Sequence, residues 1–229
     1  MAAAILGISS MATRLLLAEL ADAWAAAGGA PVRFESVGGV EAARRIEAGE
    51  PFDLAVLARE AIARLAAAGH VVAESCTDIA RSPLAAAVRA GDPRPDIGSE
   101  AALREALLAA RAVGYSTGPS GAALLALLER WGIAEAMRPR LRQAPPGVPV
   151  ARLIASGEAD LGFQQKSELA GAPGIELLGP LPASVAVETV FSAARCRAAR
   201  NPEPVAALLE FLRSPQTAAA KRRHGMEPA

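Results

Sequence analysis

Histidine is nearly missing from this chain. Only two occur in 229 residues, His70 and His224, and neither sits in a recognisable site. A zinc centre or a serine–histidine triad is therefore close to excluded. His224, in "KRRHG", reads as part of a solvated helix end. Cysteine is as scarce. Cys76 and Cys196 lie far apart, with no CxxC and no histidine cluster near them. No metal is expected, and both read as separate small core residues. Charge of one sign is missing too. Twenty-four basic side chains balance 24 acidic ones, which removes any bulk attraction to nucleic acid or an anionic membrane. No uncharged apolar run reaches about 18 residues, so no membrane insertion is expected.

The opening "MAAAILGISSM" has no basic n-region and only a very short apolar stretch, and no cleavage site follows. It does not read as a signal peptide. The expected location is cytoplasmic as written, and periplasmic if the start lies elsewhere or a leader was removed.

What is present is a rhythm of apolar runs. Apolar residues make up 52% of the chain, enough for a well-buried core. "AAILGI" (3–8), "PVRFESV" (31–37) and "FDLAVLA" (52–58) read as strands, each followed by a helical pattern. This alternation predicts a mainly parallel α/β sheet. "DIARSPLAAAVRAGDP" (78–93) is extended until "GDPRPD" stops it, and suits a crossing from one lobe to another. The rhythm then resumes, with Ser99 as the N-cap of a helix. "SVAVETVFSAAR" (184–195) reads as one long strand and a return crossing. Two terminal helices follow, starting at Asn201 or Pro202 and broken at Pro215. The expected layout is a discontinuous first lobe, 1–84 plus 188–229, and a second lobe, 85–187.

Three loops share a design: "GISSMATR" (7–14), "SVGGVEAAR" (36–44) and "GYSTGPSGAA" (114–123). Each follows a strand and opens a helix, and a fourth, "QAPPGVPVAR" (143–152), also leads into one. Helix N-termini expose unpaired N–H groups and partial positive charge. Hydroxyls and glycines beside them make an anion site that needs no arginine. None of the loops is a GK[ST] phosphate loop, a GxGxxG fingerprint or a GxSxG elbow. The ligand-binding candidates are Ser9, Ser10, Gly38, Gly39, Ser116, Thr117, Ser120, Gly121, Gly147 and Val148. "LGFQQKSE" (161–168) adds Gln164 and Gln165, neutral groups placed where a loop should begin and suited to orienting carboxylates or hydroxyls.

"ILGISSMATRLLLAELADAW", "EAARRIEAGEPFDLAVLA", "GEADLGFQQ" and "FLRSPQTAAAKRRHGM" together resemble the type 2 periplasmic substrate-binding proteins, in particular the molybdate-binding component of ABC transporters. The resemblance covers nearly the whole chain. It implies two α/β lobes, a ligand cleft between them, hinge motion and no cofactor. It also implies an ABC permease partner if the chain is exported, and a monomer. The family's oxyanion positions fall on Ser10, Gly39, Ser120, Gly147 and Gln165. A pocket serine of the molybdate binders is Gly39 here and their pocket tyrosine is Gln165, which argues against molybdate itself. "GYSTGPSG", "QAPPGVPV" and "GFQQKSELAGAPGIELLGPLP" resemble a subgroup associated with organic acids, aconitate isomerase among them.

Three functions follow as expectations. The first is a binding protein for a small oxyanion or organic acid. The second is a cofactor-independent isomerase moving an allylic proton, with Tyr115, Glu35 and Glu41 as catalytic candidates. The third is a cytoplasmic ligand-sensing module.

Overall fold

A computed structural model of the chain describes residues 4–229. Ala3, where the first expected strand begins, lies outside the described residues. The order opens with β1 (Ile5–Ser10), α1 (Arg14–Ala26), β2 (Val32–Val37), α2 (Gly39–Glu47), β3 (Leu54–Ala58) and α3 (Arg59–Ala67). Then come β4 (Thr77–Arg89), α4 (Glu100–Ala109), β5 (Val113–Tyr115), α5 (Pro119–Arg130), α6 (Ala134–Met137), β6 (Leu141–Gln143) and α7 (Val150–Ala155). The chain closes with β7 (Leu161–Gln165), α8 (Lys166–Leu169), β8 (Ile175–Pro180), β9 (Glu188–Arg195), α9 (Pro202–Arg213), α10 (Ala218–Arg223) and β10 (Glu227–Pro228).

The chain divides into two compact units. One holds the residues up to Ser82 together with Val190–Ala229, and the other is Pro83–Thr189. Both passages fall inside strands, β4 and β9. Pro83 stands at the first of them, where a residue without an N–H interrupts the ladder.

In the first unit β2, β1 and β3 run parallel, and β9 pairs antiparallel with β3. β3 reads "LAVLA" with every residue buried, the pattern of a strand covered on both faces. Its side chains alternate between two cores. Leu54 and Val56 join Leu16, Leu17, Leu20, Leu208 and Leu212 from α1 and α9. Ala55 and Leu57 join Ala42, Ile46, Ile62 and Leu65 from α2 and α3. β2 alternates half-buried and exposed residues because it is the edge strand.

The second unit repeats the scheme. β7 lies between β4, antiparallel to it, and β5, which runs parallel to it; β6 lies outside β5. Leu84, Ala86, Val88, Leu161 and Phe163 face a core built by α4 and α5. Ala85 and Ala87 face α7 and Leu169. A Cβ at Gly162 would fall 2.5 Å from Ile154 Cδ1, so the glycine lets α7 lie close on the sheet.

Three expectations need correction. The strand expected over 184–195 begins only at Glu188, because Ala183–Val185 form a 3₁₀ turn after Pro182. Cys76 is exposed at the end of a 3₁₀ turn before β4, whereas Cys196 is buried. His224 does end α10, but its Nε2 lies 2.7 Å from Glu19 Oε2, so it is paired with a carboxylate and half-buried. Among the described residues no helix is long and apolar enough to cross a membrane, and no group of three His, Cys, Asp or Glu could hold a metal ion.

Candidate functional site

In the first unit the site begins where β1 and β2 end side by side. The parallel register sets Ser9 opposite Ser36 and Ser10 opposite Val37. Ser9 is fully buried and its Oγ lies 2.8 Å from Ser36 Oγ. It is a cross-strand pair inside the sheet, a different role from the ligand contact expected of it. Ser10 is half-buried. Its Oγ accepts from Ala12 N at 3.3 Å and its carbonyl accepts from Thr13 Oγ1 at 3.0 Å. Accepting leaves the Ser10 hydroxyl hydrogen free to donate.

Gly39 opens α2 beside it. A Cβ there would meet one atom within 4 Å, Ser10 Oγ at 3.9 Å. The N-cap Gly38 makes no side-chain cap bond, and a Cβ there would meet nothing within 4 Å. Ser10 and the α2 N-terminus thus form one corner lined by donors and carrying partial positive charge.

Glu35 and Glu41 lie nearby in sequence but are held by arginines. Arg45 lies 2.5 Å from Glu35 and 2.7 Å from Glu50, and Arg44 lies 2.6 Å from Glu41. Hydrogen bonds from Arg45 and Arg44 hold the Glu35 and Glu41 carboxyls below the ordinary carboxylate range. That makes them poorer bases near neutral pH.

In the second unit the loop after β5 folds on itself. Ser116 Oγ accepts from Gly118 N at 3.2 Å and lies 2.9 Å from Ser120 Oγ. Two hydroxyls carry two hydrogens, and one is used between them, so one hydrogen of the pair remains to donate outward. Ser120 is buried and Thr117 exposed. Gly121 is required for closeness, since a Cβ there would lie 1.8 Å from the Ser116 carbonyl oxygen. Tyr115 is half-buried against the α5 core, and its carbonyl accepts from Ala144 N at 2.8 Å. That bond ties the 145–149 loop to the end of β5.

Gly147 takes φ 78° in this second loop, the left-handed turn that glycine adopts without strain. Val148 N donates to Pro145 O at 3.0 Å, so the donor expected to face a ligand closes the turn instead.

The glutamines correct a further expectation. They do not start a loop: both are buried residues of β7. Strand alternation sends them to opposite faces. Gln164 Oε1 accepts from Val150 N at 2.8 Å and its Nε2 donates to Glu168 Oε1 at 2.7 Å. Both ends of this amide are occupied, and it fixes the start of α7 instead of meeting a ligand. Gln165 is different. Its Nε2 donates to Thr189 Oγ1 at 2.6 Å, and its Oε1 has no partner. Among the described residues it is the one buried side-chain oxygen or nitrogen so left.

Glu168 was invisible as a special residue in the sequence. It is partly exposed by area, yet its carboxyl is closely surrounded, and burial pushes its pKa up to about 7 against the lowering effect of the Gln164 bond. The signal that could have found it is its spacing of four from Gln164.

Comparison with known proteins follows this geometry. A curated relative, aconitate isomerase from Pseudomonas sp, is 36% identical over 185 residues, covering 80% of this chain and 70% of that protein. The periplasmic molybdate-binding protein of Azotobacter vinelandii superposes with TM-score 0.81 at 20% identity, over 97% of this chain and 98% of that one. The sulfate-binding protein SubI of Mycobacterium tuberculosis superposes with TM-score 0.79 at 17% identity, over 100% and 88%. Both show the two-lobed type 2 periplasmic-binding-protein fold. The family described as bacterial extracellular solute-binding protein matches residues 5–227, and this chain belongs to it.

Proposed function

We propose that this protein binds a small organic polycarboxylate. In the first unit Ser10 with the α2 N-terminus is a carboxylate site, and in the second unit the Ser116–Ser120 pair with the α5 N-terminus is another. The observation that carries this reading is the kind of donor at these corners. Both offer hydroxyl and backbone N–H groups at the start of a helix of at least nine residues. Gly39, where the resemblance places a serine in molybdate binders, leaves the first corner one hydroxyl poorer. The relationship to an enzyme named for aconitate supports the same class of ligand. An ABC permease is the partner that membership of this family suggests, with an extracytoplasmic location as its requirement.

Thermal shift and calorimetry with molybdate, sulfate, citrate and the aconitates test the proposal. Stabilisation by the tricarboxylates and weak or no response to molybdate is expected. Stabilisation by molybdate alone would sink it.

A second reading is an isomerase of an unsaturated polycarboxylate. What favours it is the relationship to an enzyme named aconitate isomerase, 36% identical over 185 residues. Incubation with cis-aconitate in D2O, followed by NMR, separates binding from turnover. Unchanged isomer ratio with no deuterium uptake would leave a binding protein.

A further inference from the structure

The free oxygen of Gln165 says something about the ligand beyond its charge. Gln165 sits at the carboxyl end of β7, and β5 runs parallel to β7 with Tyr115 in register with Phe163. The ends of the two strands, and so the Ser116–Ser120 loop and the start of α5, lie at one edge of the sheet. The face is fixed twice over. Phe163, two residues before Gln165, lies in the core made by Leu124, Leu127 and Leu128 of α5. Leu84, paired directly with Gln165 across the antiparallel ladder, lies in that same core, and directly opposed residues share a face. The Gln165 amide is therefore on the α5 side, about 7 Å beyond Phe163 along the strand, towards the edge at which α5 begins. It is 3% exposed.

Its surroundings are one-sided. The helix start and the serine pair offer donors, while Gln165 Oε1 offers an acceptor with nothing to accept from. An acceptor buried without a donor is costly. A fully ionised sulfate or molybdate carries no hydrogen and would leave it so. We infer that Gln165 Oε1 selects a ligand bearing an O–H group next to its carboxylates, either a hydroxyl or an un-ionised carboxyl. This rests on the polycarboxylate reading above and names the member of that class the second unit prefers.

The test compares citrate with tricarballylate, the same three-carboxylate skeleton without the hydroxyl, by calorimetry on the full chain at pH 8 and pH 5. At pH 8 citrate should bind about tenfold tighter, the worth of one well-placed hydrogen bond. If an un-ionised carboxyl also serves, tricarballylate should close part of that gap at pH 5. Gln165→Met keeps the side chain's length and removes the acceptor. It should bring the two ligands within about threefold of each other at pH 8 through loss of citrate affinity. Should that variant not fold, Gln165→Asn withdraws the amide by one carbon and should erase the same preference. Equal preference in wild type and variant overturns the inference. So does tighter binding of ionised tricarballylate than citrate, which would show the amide meeting the ligand through its NH2. If neither tricarboxylate binds while sulfate does, it is the polycarboxylate reading that fails.

Discussion

A β-carbon placed on Gly39 would lie 3.9 Å from Ser10 Oγ, with no other atom within 4 Å. The corner is thus open by one small side chain. Gly39→Ser should fit without strain and set a second hydroxyl beside Ser10. The expected result is about tenfold tighter binding of sulfate or molybdate, the value of one hydrogen bond to a charged group. Thermal stability should stay the same or rise, because replacing glycine at a compatible position restricts the unfolded chain. Calorimetry and thermal melts check both.

Ser120→Ala should weaken polycarboxylate binding by roughly 1–2 kcal/mol, since the shared hydroxyl pair loses one member. Ser116→Ala and the double variant complete a cycle, and the two sites should be clearly non-additive because they divide one outward hydrogen. Unchanged affinity in the double variant would take this loop's hydroxyls out of the ligand site.

Glu168 predicts a pH dependence of stability. Its folded value, about 7, lies above the ordinary 4.5. Between those two values the folded chain holds a proton that the unfolded chain has released, so its contribution declines as pH rises from about 4.5 to 7. Glu168→Gln keeps an acceptor for Gln164 Nε2 and cannot ionise. Denaturant melts should show the variant more stable than wild type above pH 7, with the gap closing towards pH 4.5.

Lys221 predicts the opposite slope in a higher window. It is 1% exposed, its Nζ donates to Leu212 O at 2.8 Å, and burial lowers its pKa from 10.5 to about 8. From about pH 8 to 10.5 the unfolded chain binds more protons, so wild type should gain stability as pH rises across that range. Lys221→Met should remove the gain. A wild-type curve that is flat there would mean the ammonium keeps its charge when buried.

Much of this was legible in the sequence, and the reason is periodicity. "LAVLA" announces a strand covered on both sides, and Ser99 does cap α4, its Oγ accepting from Ala102 N at 3.1 Å. The loops at Ser10, Gly39 and Ser120 do start helices. What could not be read was direction. Gln164 and Gln165 look alike in a string, yet the pleat sends one to α7 and the other to α5. Ser9 and Ser10 differ in the same way, one inside the sheet and one at its edge. β6 has three residues, too few to carry a period. Glu168 sits among polar residues in "QQKSEL", where a carboxylate reads as solvated until α7 is known to lie over it.

The passages at Ser82 and at Thr189 have a consequence for biosynthesis. The second unit is one unbroken segment, whereas the first needs strand β9 and helices α9 and α10 from the far end of the chain. Leu57 waits for Ser192, its ladder partner, through 134 further residues of translation. The later-made unit can therefore complete itself before the earlier one, and the part of the α1 apolar face that packs on α9 stays uncovered on the ribosome until the last forty residues emerge. Pulse proteolysis of stalled nascent chains would show Pro83–Thr189 protected first.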